Sequence, residues 1–284
     1  MGDWSVEIRP RGRGLNLDLK ELWRYRDLIY LLARRTFVAM YKQTILGPAW
    51  AILQPLLTTG IFTLVFGRLV GVSTDGAAPF LFYLCGSVPW NFFARCLEKT
   101  AQTFTDNEKL FGKVYFPRLC APVATVGVTL INFLIQAALF LVCLFGASIL
   151  DICPLNINAG LVWLTPAVVL MMACLGLGVG IGVSALTVRY KDLALLVGFG
   201  VQLWMYLSPV AYPASVLNTN YPGLKTVFML NPMSPVIEFF RAAFLGTEGF
   251  EPLFLALGAV MTALLTLAGV ALFSRVEKTF ADVI

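Results

Sequence analysis

Long runs without a charged residue constrain this chain more than any other feature. A helix needs about 20 consecutive apolar residues to cross a bilayer, and charge-free runs of that length occur at 119–150, 159–188, 193–220 and 252–274. A fifth run covers 45–67. A shorter sixth apolar stretch covers 79–95, and the span it belongs to is expected to continue to about residue 103. Only 13% of the residues are charged, against about 25% in soluble domains. These features predict an all-α polytopic membrane protein with six transmembrane helices per subunit.

The distribution of the cations predicts the topology. All but three of the 21 Lys and Arg residues lie on one side of the six predicted spans, the exceptions being Arg68, Lys225 and Arg241. Because cytoplasmic loops carry an excess of Lys and Arg, both termini are predicted to be cytoplasmic, including a tail at 275–284. This topology accounts for the net charge of +5, and no nucleic-acid partner is expected.

Residues 1–44 precede the six-span domain predicted at 45–274. Within them, 17–44 follow a helical pattern with a basic face and an aromatic-aliphatic face, which is typical of a helix lying in the membrane plane and contacting lipid. The stretch YKQTILGPAWAILQPL then carries Gly47-Pro48. Since proline fits the first turn of a helix, we expect the in-plane helix to end there and the first span to begin. Gln54 lies deeper and needs a protein or water partner.

The predicted cytoplasmic loop 95–118 has mixed charge and is expected to be helical from about residue 98 to 110. A short helix between two spans can move as a rigid unit, so this loop is the best candidate for coupling to a partner that drives movement. A solvated connector explains the same composition equally well. The candidate coupling residues are Glu98, Lys99, Asp106, Asn107, Glu108 and Lys109.

Residues 208–251, between the fifth and sixth predicted spans, are too interrupted to cross the membrane and too apolar for an ordinary loop. Two short helices separated at Asn231-Pro232 fit this pattern. Irregular backbone at membrane depth must be buried in protein, so we expect these helices to be re-entrant. In the fourth span, alternate glycines at 176, 178, 180 and 182 indicate close helix packing, with a hinge as the alternative.

The sequence lacks the usual chemistry of a membrane enzyme or an ion-coupled carrier. No charge falls in the middle of the long spans, where such carriers place the groups that bind the driving ion. The sequence has no histidine, no acidic cluster for a metal and no GxxxxGK[ST] phosphate loop. Its six cysteines lack CxxC spacing and are expected to be free thiols. We therefore expect this chain to bind no metal or cofactor, and any transport to be driven by another subunit.

Seven motifs occur in one order along nearly the whole chain: YKQTILGPAWAILQPLL, FTLVFGRLVGV, KVYFPRLCAP, ALTVRYKDL, LSPVAYPAS, LNPMSPVIEFFR and EKTFADVI. Together they resemble the membrane subunit of polysaccharide-exporting ABC transporters of the type-2 permease family, a group that exports O-antigen and similar lipid-linked glycans. The first and third motifs are specific to this branch.

The resemblance implies a homodimer in the bacterial inner (cytoplasmic) membrane, bound to two cytoplasmic ABC ATPase subunits that hold ATP and magnesium. It also implies a channel at the dimer interface and re-entrant helices that act as an outward gate, which assigns Asn231 and Pro232 to that gate. The implied substrate is a polysaccharide assembled on undecaprenyl diphosphate in the cytoplasmic leaflet.

Aromatic rings can stack on the C–H faces of sugars without holding one sugar tightly, so a polymer can slide past them. The candidates for such a path are Trp50, Phe62, Phe66, Trp204 and Tyr206. Interface-belt aromatics or ordinary packing explain the same residues. Lys42 and Arg118 are candidates for binding the diphosphate head group, with positive-inside anchoring as the alternative.

Other functions stay open at this point. A type-2 ABC permease for capsule, teichoic acid or a small hydrophobic drug would carry many of the same features. A membrane glycosyl- or prenyl-transferase is disfavoured because the acidic cluster is missing, and a stand-alone channel is disfavoured by the predicted coupling helix.

Overall fold

The computed structural model of the chain describes residues 19–42, 47–107, 116–187, 192–216 and 222–277. These residues form helices joined by turns, with no strand among them, so the predicted all-α class is confirmed for them. A 3-10 turn at Gly47–Ala49 precedes the third helix, and a π-helical stretch at Thr63–Leu69 extends it. The helices are α1 (Leu19–Arg24), α2 (Arg26–Tyr41), α3 (Trp50–Phe62), α4 (Pro79–Asp106), α5 (Cys120–Ile149), α6 (Ala159–Val162), α7 (Thr165–Thr187), α8 (Leu193–Tyr206), α9 (Pro222–Leu230), α10 (Met233–Leu245) and α11 (Pro252–Glu277).

Several helices have the length and composition of membrane spans. Within the described ranges, four helical stretches qualify: Trp50–Leu69, Cys120–Ile149, Thr165–Thr187 and Pro252–Arg275. They coincide with the first, third, fourth and sixth predicted spans. The helix α8 is apolar but has 14 residues, whereas α4 has 28 residues and carries charges in its second half. The chain is a membrane protein with several apolar helices, and the total of six spans stays a prediction.

The helix α4 lies at the centre of the fold. Every residue from Leu81 to Trp90 is buried, and α4 packs most extensively against α7 and α5. Its start is favoured by Pro79 at the first turn, where a missing amide donor costs no hydrogen bond. The other helices therefore take their positions around α4.

The helix α4 also corrects one prediction. Residues 98–106 are its last turns and not the beginning of a separate short helix. No glycine or proline interrupts the sequence between Arg95 and Asp106. The buried Thr100 and Ala101 hold this part against α7, where the hydroxyl of Thr187 donates to the carbonyl of Ala101 at 3.0 Å.

The alternate glycines of α7 face two different helices. A Cβ atom on Gly176 would lie 2.6 Å from the Cβ of Cys96 in α4, and one on Gly178 would lie 2.4 Å from the Cα of Thr266 in α11. The next two glycines repeat the alternation, Gly180 towards α4 and Gly182 towards α11. The small residues therefore let α7 approach both neighbours at backbone distance, as expected for close packing.

The described helices α2 and α3 end and begin on either side of the predicted elbow. The helix α2 ends at Tyr41 and α3 begins at Trp50, while residues 43–46 lie outside the described ranges. Gly47 has φ +49°, a conformation that glycine adopts at little cost. The hydroxyl of Tyr41 donates to the buried amide of Asn132 in α5 at 2.5 Å. The last residue of α2 is thus hydrogen-bonded to α5. The orientation of α2 relative to the membrane stays a prediction.

Candidate functional site

The aromatic candidates differ in exposure. Trp50 at the start of α3 is 49% exposed and Tyr206 at the end of α8 is 55% exposed. Phe62 and Phe66 are partly buried and pack edge-to-face, with ring centroids 5.5 Å apart. Both also contact the buried ring of Tyr83 in α4. Trp50 and Tyr206 therefore present surface that a polymer could contact, whereas Phe62 and Phe66 join α3 and its π-helical extension to α4.

Trp204 brings the predicted path and the predicted gate together. Its indole N–H donates to the side-chain oxygen of Asn231 at 2.8 Å. Its ring packs edge-to-face against Phe93 of α4 at a centroid distance of 5.0 Å. The two predictions named Trp204 and Asn231 separately, and the contact between them was not anticipated.

Asn231 connects the end of α8 to the start of α10. Its amide nitrogen donates to the hydroxyl of Ser208 at 2.8 Å and to the carbonyl of Leu207 at 3.3 Å. Its amide oxygen accepts from the backbone N–H of Met233 at 3.2 Å as well as from Trp204. An asparagine side chain has two N–H donors and one carbonyl acceptor with two lone pairs, so every one of these groups is used. The neighbouring Pro232 is buried and lies at the N-cap position of α10.

A buried ion pair on α10 was missed by the sequence analysis. Glu238 and Arg241 are 1% and 0% exposed, and their side chains are joined by a contact of 2.9 Å between Oε1 and Nη1. Arg241 also donates to the carbonyls of Val210 at 2.9 Å and Tyr212 at 3.2 Å. Oε1 of Glu238 accepts from the backbone N–H of Ala214 at 3.2 Å. The pair thus binds the backbone of residues 207–216, called the proline segment below because it contains Pro209 and Pro213.

Arg241 is also pressed against α4. Its guanidinium lies 3.7 Å from the ring centroid of Phe82, a cation–π contact. A Cβ atom on Gly86 would lie 2.9 Å from Nη2 of Arg241 and 3.2 Å from the carbonyl oxygen of Val210. A larger residue at this position would require the guanidinium of Arg241 to shift. The signal in the sequence was an acid and a base three residues apart in the otherwise apolar stretch PVIEFFRAAFL, a spacing that puts both on one helix face.

Other contacts of the proline segment are polar as well. The hydroxyl of Tyr212 donates to the carbonyl of Tyr206 at 3.1 Å. At the end of the segment, the hydroxyl of Ser215 donates to Asp75 at 2.8 Å.

The two head-group candidates, Lys42 and Arg118, differ in exposure. Lys42 directly follows α2 and is exposed, while Arg118 is half-buried just before α5. Arg95 of α4, which was not a candidate, donates to the side-chain oxygen of Gln54 at 2.6 Å. The predicted need of Gln54 for a partner inside its span is therefore met by a cation of α4.

The candidate coupling residues that the structure describes lie at the end of α4. Glu98, Lys99, Asp106 and Asn107 are there, whereas Glu108 and Lys109 lie outside the described ranges. The amide of Asn107 donates to the carbonyl of Thr103 at 2.9 Å and so caps the helix. A pocket of about 370 Å³ opens between this end of α4, the helix α2 and the start of α5, and its lining includes Lys99, Asp106 and Asn107.

A family match and two curated relatives each cover most of the chain and point to the same family. The ABC-2 type transporter family matches residues 27–245. The O-antigen export system permease protein RfbA of Myxococcus xanthus is 30% identical over 266 residues, which cover 93% of this chain and 98% of that protein. The protein of the same name from Klebsiella pneumoniae is 25% identical over 259 residues, covering 91% of this chain and 95% of the relative. On the family match and the all-helical fold with several apolar spans, this chain belongs to the ABC-2 type transporter family as its membrane component.

Proposed function

We propose that this chain is the membrane subunit of an ATP-driven exporter that moves an undecaprenyl-diphosphate-linked polysaccharide of the O-antigen type across the bacterial inner membrane. The observation that carries the proposal is the similarity to two O-antigen export permeases over more than nine tenths of the chain. In this proposal two copies of the chain form the channel and two cytoplasmic ABC ATPase subunits bind ATP and magnesium.

The helical arrangement supports six spans per subunit. The 28 residues of α4 extend for about 42 Å at 1.5 Å per residue, which exceeds the roughly 30 Å of a bilayer core. The 14 residues of α8 reach only about 21 Å, so the fifth span is completed by the proline segment. The helices α9 and α10 then return towards the membrane as the re-entrant pair, with both termini in the cytoplasm.

Coupling to the ATPase is assigned to the end of α4 and the pocket beside it. Charged and amide side chains of both α2 and α4 line this pocket, among them Arg35, Lys99 and Asp106. Such a mixed-charge surface suits a polar partner in water. Because the same helix continues without a break to the buried ion pair, movement at its end is transmitted through the membrane.

Substrate contact is assigned to exposed groups. Trp50 and Tyr206 have half of their surface free and serve as the sliding aromatic surface, with Phe62 and Phe66, which contact Tyr83 of α4, as further members of the proposed path. Trp204 is a further member of the proposed path, and its indole N–H donates to Asn231. Lys42 is the head-group candidate with the more exposed position, and Arg118 lies farther in.

Gene deletion in the host tests the proposal. Loss of the chain is expected to remove the surface polysaccharide and to leave lipid-linked polymer at the cytoplasmic face of the inner membrane. Expression of the wild-type chain should restore export, and so should the Gly146→Ala variant, where an added Cβ meets nothing within 4 Å.

The result also separates the alternative substrates. An unchanged O-antigen together with loss of capsule or teichoic acid would assign the exporter to that polymer. Unchanged surface polymers with increased sensitivity to hydrophobic drugs would contradict polymer export.

A further inference from the structure

The proline segment is held by polar contacts at three successive points. Asn231 binds its beginning at Leu207 and Ser208. Glu238 and Arg241 bind its middle through three backbone groups. Asp75 binds its end through Ser215. Each of these contacts depends on direction and distance, so a small displacement of the segment breaks them together.

The ion pair in the middle is not built for maximal stability. Within the described ranges, Oε2 of Glu238 and Nε of Arg241 are buried without a hydrogen-bond partner. Burying two charges costs desolvation that only a fully satisfied geometry recovers, and apolar residues of similar size often stabilise a protein at least as well. Stability alone therefore does not explain an ion pair here, whereas directed binding of three backbone groups does.

The same pair lies between the proline segment and α4. The guanidinium of Arg241 contacts Phe82 on one side and the backbone at Gly86 on another. From Gly86 to Asp106 the helix α4 continues for 20 residues, a distance of about 30 Å. The helix is continuous through Pro89, so we expect a shift or rotation of α4 at its Asp106 end to reach the surface against which Arg241 is seated.

We propose that Glu238 and Arg241 are positioning residues that hold the proline segment closed at rest and release it during each transport cycle, driven by movement of α4. This deepens the proposed function, on which it rests, because it adds the residues that close the outer end of the path. Gly86 is the contact at which α4 acts on the pair. Loss of the contacts of Arg241 frees Val210 and Tyr212, and the segment moves away from α10.

Cys85 provides a reporter for this movement. Its side chain is 2% exposed and lies next to Gly86 in α4. The experiment uses the complex of the chain with its ATPase in proteoliposomes, with the other five cysteines replaced by alanine. A membrane-impermeant maleimide is added from the side opposite the ATPase, and the labelling rate of Cys85 is measured at rest and during ATP turnover.

Turnover is expected to speed labelling by about tenfold or more, since a minor open state is populated at about 0.1–10% at rest. Arg241→Met should label quickly with and without ATP, because it removes the hydrogen bonds to the carbonyls of Val210 and Tyr212. Gly86→Ala should also label quickly at rest because its methyl group displaces Arg241. Gly127→Ala, where an added Cβ meets nothing within 4 Å, is the matched control and should label like the parent.

Equal labelling at rest and during turnover, in a complex that exports polymer, would overturn the proposal. So would slow labelling of both Gly86→Ala and Arg241→Met at rest. The Gly86→Ala variant keeps the test decisive if Arg241→Met does not accumulate. A parent complex whose Cys85 labelling follows ATP turnover while no polysaccharide is exported would support the release mechanism and count against the proposed substrate.

Discussion

Replacing Gly178 by alanine is expected to destabilise the protein through the crossing of α7 and α11. The new Cβ would lie 2.4 Å from the Cα of Thr266, whereas carbon atoms pack at about 3.5–4.0 Å. The shortfall exceeds 1 Å by this comparison, and because the opposing atom belongs to the backbone, no side-chain rotation relieves it. The two helices must move apart, which also stretches the 3.0 Å hydrogen bond from Thr266 to the carbonyl of Cys174.

The expected loss of stability combines three contributions: overpacking, a weakened hydrogen bond and the helix propensity of alanine. Overpacking in a tight core costs about 1–3 kcal/mol, and an interhelical hydrogen bond in a membrane contributes about 0.6 kcal/mol. Alanine is favoured over glycine in a helix by about 0.5–1 kcal/mol. The net loss is therefore about 2 kcal/mol in the free energy of unfolding.

Reversible unfolding in mixed micelles, followed by circular dichroism, measures this difference. Gly146→Ala in α5 is the matched control, because its added Cβ meets nothing within 4 Å, and it should be as stable as the wild type or slightly more stable. If Gly178→Ala unfolds at the same denaturant concentration as Gly146→Ala, the close approach of α7 and α11 is refuted.

Other predictions concern export and coupling. Trp204→Phe keeps a ring against Phe93 but loses the hydrogen bond to Asn231, so we expect the variant protein to accumulate normally and to export less polymer. Trp204→Ala should lose about 3–5 kcal/mol of folding stability, and immunoblotting should show much less of this variant in the membrane. Trp50→Ala and Tyr206→Ala remove exposed rings and should reduce polymer flux without lowering protein levels; normal surface polysaccharide would exclude that residue from the path. Glu98→Lys or Asp106→Lys should reduce transport per ATP hydrolysed with normal membrane insertion, and cysteines placed at these positions should cross-link to the ATPase. Failure of every such cross-link would contradict docking at the end of α4.

The sequence allowed the prediction of much of the helical organisation. Charge-free runs located α5, α7 and α11 because a lipid-facing helix tolerates few charges, and Asn231-Pro232 located the break between α9 and α10. The helix expected at about 98–110 was wrongly predicted to be separate from the second span, since contacts with α7 keep α4 continuous to Asp106. The two faces of the α7 glycines could have been derived, because residues two apart lie about 200° apart on a helix.

The candidate site was less predictable, because its key contacts join residues far apart in the chain. Nothing local to Trp204 indicates Asn231 as its partner, and nothing local to Gly86 indicates an arginine 155 positions later. Arg241 was counted only as a cation on the side opposite the termini and Glu238 was given no role, since composition does not show that both side chains turn inward against the proline segment. Only the tertiary arrangement brings these residues together.

The continuity of α4 has a thermodynamic consequence. If, as proposed, the Asp106 end of α4 binds an ATPase and the same continuous helix acts on the proline segment, the two ends are linked sites, and the coupling free energy between them acts equally in both directions. A polymer that keeps the proline segment displaced would then change the affinity of the membrane subunit for its ATPase by some factor. Binding of the ATPase would change the affinity of the membrane subunit for the polymer by the same factor. The arrival of cargo at the far side would in this way regulate assembly of the motor on the cytoplasmic side.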